Sequence, residues 1–269
     1  MIIIGEKING SIPSVAKAIQ ERNADHIRHL AEIQTQAGAT YIDILSSVPV
    51  EVEVETMKWL IETVQEATDL PISIDSPNPE TLVECMPFVN KPGLLNSVSG
   101  EGNKMDVVFP AIQGTKWNVA ALLNGNYGIP KTAADRLKVF DEIMDKAAKF
   151  DITPDRIHVD PLVEMLCTAE DGINMIAEVM ETMREKYPTI HITGACSNIS
   201  FNLPARKIMN QAFIVLSIYK GMDSAILDPT NSDLMGMVYA AEALKGDDEM
   251  CINYISAYRD GLFGQKKAK

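Results

Sequence analysis

Eight short apolar runs in this chain of 269 residues stop, one after another, at or just before a polar side chain. Residues 2–5 precede Glu6, 41–45 precede Ser46, 72–74 precede Asp75 and 93–95 precede Asn96. Residues 119–123 precede Asn124, 157–159 precede Asp160, 190–196 lie just before Asn198, and 225–227 precede Asp228. Asp75, Asp160 and Asp228, with Asn96, Asn124 and Asn198, thus put three carboxylates and three amides at equivalent places. Carboxylates accept hydrogen bonds, and amides both donate and accept. A ring of such groups suits a neutral, donor-rich heterocycle of the pterin or purine kind. It does not suit a phosphate, which calls for glycines and cations. Any one of these residues can instead cap the next helix or close an Asx-turn. Six at once are harder to explain that way.

Other chemistries find less support. Asp75, Asp160 and Asp228 can in principle gather round a divalent cation, but His26, His29, His158 and His191 follow no strand-end ligand pattern. His158 and His191 lie inside apolar strands and read as structural. No metal is expected on this chain. No GxSxG elbow occurs, so a serine triad lacks its nucleophile. No strand ends in lysine except near the first, at Lys7, which leaves a Schiff base without a candidate. The 14 methionines are spaced as helix cores. Cys85, Cys167, Cys196 and Cys251 are scattered and form no CxxC, which argues against a structural zinc or a disulfide framework.

The elements that must position these side chains follow from the pattern itself. Strand, polar tip and helix, repeated eight times, predict an α/β fold, a (β/α)8 TIM barrel. Its active site is built from the C-terminal ends of the strands. The length fits one such barrel, and no linker divides it, so residues 1–269 read as a single domain. Helical periodicity places Val54, Met57, Leu60, Ile61, Val64 and Ala67 on one face. It does the same for Leu137, Phe140, Ile143, Met144 and Ala147, and for Ile173, Ile176, Ala177, Met180 and Met183. Residues 10–36 are long enough for two helices. Asp25 is placed to help start the second, and Gly38 to end it. Pro79 suits a first helical turn. Residues 201–221 are apolar on several sides and are expected to pack tightly on the barrel, residues 100–115 fit helix or loop, and Lys266 to Lys269 are expected to fray.

Hydrophobic residues make up 46% of the chain and charged residues 23%, which suits a large core under an ordinary soluble surface. The net charge of −13 argues against nucleic acid, whose phosphates need clustered lysine and arginine. The longest apolar stretch, around residues 212–218, is too short to span a bilayer. The N-terminus enters a strand at once, without a basic region or cleavage site, and a cytoplasmic location is the expectation.

At the same strand ends the chain resembles the pterin-binding methyltransferases. These include the methyltetrahydrofolate:corrinoid protein methyltransferases and the folate module of cobalamin-dependent methionine synthase, with dihydropteroate synthase a more distant relative. The matching stretches are Gly5-Glu6-Lys7-Ile8-Asn9, Ile74-Asp75-Ser76-Pro77-Asn78-Pro79, Leu95-Asn96-Ser97-Val98-Ser99-Gly100-Glu101 and Val159-Asp160-Pro161-Leu162. The most specific is Ser197-Asn198-Ile199-Ser200-Phe201-Asn202-Leu203-Pro204-Ala205-Arg206, continuing to Gly221-Met222-Asp223-Ser224-Ala225-Ile226. Ala195 and Asn202 stand where relatives usually carry glycine. Asn tolerates positive φ better than most residues.

The resemblance implies methyl transfer between N5 of tetrahydrofolate and the cobalt of a corrinoid, in either direction. Tetrahydrofolate or its 5-methyl form is then the substrate. The corrinoid (cobalamin) arrives on a separate corrinoid protein, since the DxHxxG stretch of corrinoid carriers is missing. By the match, Asn198 meets N5. Asp75, Asn96 and Asp160 hold the aminopyrimidinone edge, and Glu6 and Asn124 complete the substrate-binding set. Arg206 shapes the mouth or meets the corrinoid partner, or else forms a surface ion pair. The resemblance also implies a homodimer. Two other readings stay open. A dihydropteroate-synthase-like condensation would need basic residues around strands seven and eight, and a non-catalytic folate-binding barrel would need no Asn198.

Overall fold

The computed structural model describes residues 1–169 and 171–264. The first strand, β1 (Ile2–Asn9), is followed by α1 (Pro13–Gln20) and α2 (Ala24–Gln36), the two helices expected there. The chain continues through β2 (Tyr41–Leu45), α3 (Val50–Gln65), β3 (Ile72–Asp75), α4 (Pro79–Cys85), β4 (Leu94–Gly100) and α5 (Lys104–Ile112). Then come β5 (Asn118–Gly125), α6 (Ala133–Ala148), β6 (Ile157–Asp160), α7 (Asn174–Lys186) and β7 (His191–Ile192). Last are α8 (Arg206–Tyr219), β8 (Ser224–Leu227), α9 (Ser232–Lys245) and α10 (Ile252–Arg259). All eight strands are parallel neighbours in chain order, and β8 returns to pair with β1. A bridge from Ala195 to Ile226 and a bond from the Ile226 amide to the Gly194 carbonyl (3.0 Å) join the last strands and close the barrel.

Alternation along each strand sorts the side chains. On β3, Ile72 and Ile74 face the helices, whereas Ser73 points to the barrel axis and reaches Asp43 on β2. The outward residues meet the helix faces read from the sequence. Met57, Leu60, Ile61 and Val64 of α3 are fully buried, as are Phe140 and Ile143 of α6 and Met180 and Met183 of α7. This is the main core. A smaller one fills the barrel itself, where Ile4, Leu94 and Ala120 pack with Ile2, Tyr41 and Ile226.

Local sequence explains most boundaries. Pro79 occupies the first position of α4, where its missing N–H is no loss. Gly38 takes φ +91° just past α2, a conformation glycine adopts without strain. Asn23, not Asp25, caps α2: its side chain accepts from the His26 amide, and Asp25 sits in the first turn paired with Arg28.

Three expectations need amendment. Residues 100–115 resolve into the helix α5. Strand seven stops at Ile192, and Asn198 lies beyond it on a 3₁₀ turn, Cys196–Ser200. Gly194 passes so close to the loop after β6 that a Cβ there would meet the Val163 side chain at 2.9 Å. The apolar stretch 201–221 is not buried all round. Phe213, Ile214 and Ile218 of α8 pack inward while Ile208, Leu216 and Tyr219 stay exposed. Lys266 to Lys269 lie outside the described residues. No helix among the described residues is long and apolar enough to cross a membrane.

Candidate active site at the barrel mouth

The strand tips bring together the acids and amides singled out above. Asp75, at the end of β3, shares a hydrogen bond with Asp43, two residues before the tip of β2. Two carboxyl groups so bonded hold one proton between them. Burial pushes Asp43 up to about 6, against its hydrogen bonds from Ser73, Asn96 and Asp75. Burial, and then the charge of Asp43, drive Asp75 well above the usual carboxylate range. Asn96, from β4, is 8% exposed and donates its Nδ2 to Asp43 at 3.3 Å. Its carbonyl accepts from the Ser76 amide at 2.9 Å, which ties the tips of β3 and β4 together.

Asp160, at the end of β6, is 8% exposed. Its Oδ1 accepts from the Leu162 amide at 2.8 Å, a local turn. Burial pushes its pKa up to about 6, opposed by the Leu162 and Val163 amides and by Arg136. Arg136 is itself wholly buried, on the inner face of α6. Its guanidinium binds the carbonyls of Pro161 and Leu162 and the carboxylate of Glu164, and so fixes the loop that carries Asp160. Glu53 of α3 does the same for the loop after Asp75. It accepts from Ser76 Oγ (2.7 Å), Asn78 Nδ2 (2.8 Å) and Thr81 Oγ1 (2.8 Å). In both cases a buried charge on one helix holds the βα loop of the next strand.

Asn198 is exposed on its 3₁₀ turn, and its carboxamide makes no hydrogen bond among the described residues. Arg206, the first residue of α8, braces this turn. Its Nε donates to Ser200 Oγ at 3.0 Å, its Nη2 to the Ser197 carbonyl at 2.9 Å, and its guanidinium lies 5.6 Å over the Phe201 ring. Arg206 thus braces the Asn198 turn, and it makes no ion pair among the described residues. Asn202, with φ +62°, takes the left-handed conformation expected of it. Asn124, next to last in β5, has its Oδ1 buried and without a hydrogen-bond partner among the described residues.

Glu6 follows Ile2 and Ile4 on the inward side of β1. Burial pushes its pKa up to about 7, aided by Asp228 and Asp43 and opposed by Lys7 and Arg206. Asp228 itself is spent on its own chain. Oδ2 pairs with Lys7 at 3.0 Å, and Oδ1 accepts from the Thr230 amide (2.9 Å) and hydroxyl (2.6 Å). Asp228 thus closes an Asx-turn, as Asp160 does, and Asn231 caps the helix that follows. Among the described residues no group of three or more His, Cys, Asp or Glu is placed to hold a metal ion.

The sequence reading missed Asp43, Glu53 and Arg136. Asp43 carried a signal, being a lone acid inside an apolar strand. Arg136 and Glu53 were legible only as charges on the apolar side of their helices. What the mouth offers is a set of carboxyls poised between acceptor and donor, next to amides that do both. That is the complement of a flat heterocycle with alternating N–H and carbonyl groups.

The fold and this mouth define a class, and the chain belongs to the family of pterin binding enzymes, whose model matches residues 5–228. Over its whole length it is 49% identical to the methylcorrinoid:tetrahydrofolate methyltransferase of Eubacterium limosum, with 100% of both chains covered. It is 24% identical to the methionine synthase of Mycobacterium tuberculosis over 84% of this chain, and there it spans only 20% of the relative's length. Among solved structures, a dihydropteroate synthase of Vibrio fischeri ES114 matches with a TM-score of 0.67 at 17% identity, covering 90% of this chain and 92% of that one. A dihydropteroate synthetase with its product gives 0.69 at 14%, covering 91% and 94%. At such identities these structures share the fold.

Proposed function

We propose that this chain is a methyltransferase that moves a methyl group between N5 of tetrahydrofolate and the cobalt of a corrinoid carried by a separate protein. The observation that carries the reading is the full-length match at 49% identity to a methylcorrinoid:tetrahydrofolate methyltransferase. The mouth supports it residue by residue. Asp75, Asn96 and Asp160 face the aminopyrimidinone edge of the pterin, and the raised pKa values of the two acids let a carboxyl accept from ring N–H or donate to ring carbonyl. Asn124 supplies its free acceptor, and Asn198 meets N5 from its exposed turn. A carboxamide suits both directions, because it can turn either its N–H or its oxygen toward N5. The corrinoid supplies the methyl-carrying cobalt. The chain itself binds and orients the folate and stabilises charge at N5.

The rim fits a docking partner. Ile12, Val50, Tyr127, Ile129 and Phe201 lie exposed on four different βα loops around the mouth. We assign the carrier's contact to this rim, as a transient and modest interface. A second apolar face, with Leu216, Tyr219, Met237, Leu244 and Ile255 on α8 to α10, is on the side of the barrel. It supports a homodimer that leaves both mouths open. Residues 1–269 act as one pterin-binding domain, in the cytoplasm and in one-carbon metabolism. A dihydropteroate-synthase-like condensation is disfavoured, because Lys7 is tied to Asp228 and strands seven and eight end without a free lysine.

The test is direct. The purified chain shows no corrinoid absorbance, and with tetrahydrofolate and a methylated corrinoid protein or methylcobalamin it yields 5-methyltetrahydrofolate. Absence of product with every methyl donor refutes the reading. Sedimentation velocity decides the dimer.

A further inference from the structure

We propose that Gln34, buried on α2 behind the first strand, is a positioning residue for the folate site: it holds a bulge in β1 that turns two consecutive side chains, Glu6 and Lys7, into the mouth. The role rests on the folate site proposed above and adds to it a residue that touches no substrate.

The bulge follows from the strand pairing. Gly5 of β1 stands opposite Ile42 of β2, and the next partners are Ile8 and Ile44. Two residues of β1, Glu6 and Lys7, thus oppose one of β2, Asp43. The pairing with β8 ends at Gly5, so neither residue is in register on that side. A regular strand sends successive side chains to opposite faces, and an extra residue breaks the alternation. Ile4 fills the barrel, while Ile3 and Ile8 lie in the core under the helices. Glu6 follows Ile4 inward. By alternation Lys7 would face the helices, yet its Nζ reaches Asp228 after β8 at 3.0 Å. Ile8 then returns to the helix side. Without the extra residue Lys7 would enter the apolar core and Ile8 the mouth.

A bulge leaves a backbone group without its ladder partner, and a buried amide must find another. The Lys7 amide donates to Gln34 Oε1 at 3.0 Å. Gln34 is 0% exposed, and its Nε2 donates to the Leu30 carbonyl, one turn back on α2, at 3.1 Å. With a donor at one end of the carboxamide and an acceptor at the other, its orientation is fixed. Gly5 makes the approach possible. A Cβ there would meet Gln34 Oε1 at 2.5 Å, so any side chain at this position would close the path. The stretch Gly5-Glu6-Lys7 therefore works as a unit: a gap for Gln34, then two polar side chains delivered to the mouth.

The test combines calorimetry of tetrahydrofolate binding, which needs no methyl transfer, with hydrogen exchange at the Lys7 amide. In the wild type that amide is protected, and free exchange there overturns the role. Gln34→Leu keeps the bulk and loses the acceptor. It should release the Lys7 amide and weaken folate binding about tenfold. Gln34→Glu, whose buried carboxyl in its acid form makes both bonds, should restore the protection and most of the affinity. A residue that serves stability alone would not act through Glu6 and Lys7, so the change is repeated in a Glu6→Gln, Lys7→Met background. There Gln34→Leu should still lower the melting temperature but change folate affinity by less than about twofold, because the side chains it aims are already gone. A full tenfold loss in that background overturns the role, and so does a folded Gln34→Leu with wild-type affinity. Should the leucine variant not fold, Gln34→Met, unbranched and also without a strong acceptor, carries the same comparison. A wild type that binds folate but moves no methyl group overturns the reaction and leaves this role standing; a wild type that binds no folate overturns both.

Discussion

Both ends of the barrel interior are polar, and they use that polarity in opposite ways. At the N-terminal end, polar groups satisfy one another. Asn118 Nδ2 donates to the Tyr41 hydroxyl at 2.9 Å, His158 Nδ1 meets Ser224 Oγ at 3.1 Å, and His191 Nδ1 meets Asp223 at 3.0 Å. Arg184 closes the set on Asp223 at 3.1 Å, and the two imidazoles lie 4.6 Å apart with their planes tilted by 34°. Of these groups, His158 Nε2 is left without a hydrogen-bond partner among the described residues. At the C-terminal end capacity is unspent among the described residues: Glu6 makes no hydrogen bond or ion pair, Asn124 Oδ1 is buried without a partner, Asn198 is exposed, and Asp43 and Asp75 are bonded to each other, acid to acid. A polar cluster is thus not a site because it is polar. It is a site where bonding capacity remains after the fold has been served.

The contrast can be broken from either end. The largest effect is expected on the supports of the mouth. Arg136→Met removes the donor to the carbonyls of Pro130, Pro161 and Leu162 and the closer of two cations paired with Glu164, and should lower stability by about 3 kcal/mol and loosen Asp160. Urea denaturation with folate calorimetry measures both, and an equally stable variant would show that Arg136 is a bystander. Next, Asn198→Ala touches no contact of the fold. Stability and folate affinity should hold while single-turnover methyl transfer falls about 10²–10³-fold. Near wild-type rates remove Asn198 from the chemistry.

Third, Asp75→Ala and Asp160→Ala should each weaken tetrahydrofolate binding about 10–100-fold, the worth of a hydrogen bond to a charged group. Unchanged affinity in folded variants would move the pterin elsewhere.

The smallest effects lie in the pH dependence, and the two ends differ in sign. Burial, then His191, hold His158 down to about 3, so between that value and its ordinary 6.5 the unfolded chain binds more protons. The contribution of neutral His158 is complete above about 6.5 and is lost as pH falls toward 3. Asp160 is raised to about 6, so its contribution is present below the ordinary carboxylate range and is lost as pH rises through 6. Asp160→Asn should therefore stabilise the folate-free chain at pH 8 by on the order of 1–3 kcal/mol, and His158→Phe should flatten the acid limb of the melting curve. A destabilised Asp160→Asn at pH 8 would mean that the carboxylate serves the fold after all.

Much of this was legible without coordinates. The barrel and its strand tips follow from apolar runs that stop at a polar residue, because each strand must bury its outward side chains under a helix while its C-terminal end meets solvent. Asp75, Asn96, Asn124 and Asp160 were found in this way, and Glu6 and Asn198 with the help of the family motifs. Position along the chain determines which residues reach the mouth. It does not determine what is left for them to bind.

That second question was settled by tertiary structure. The sequence treats Asp228 and Asp160 alike, yet the fold gives Asp228 to Lys7, more than two hundred residues away, and leaves Asp160 buried at the mouth. Asp43, inside a strand, becomes the partner of Asp75 only because β2 and β3 pair in the register Leu45 to Asp75. Arg136 and Glu53 look like flaws on apolar helix faces until the next loop folds over them. Strand periodicity is a local property, fixed by the alternation of side chains along one segment. The partner of a buried charge is fixed by which segments close the barrel around it, and that depends on the whole chain at once.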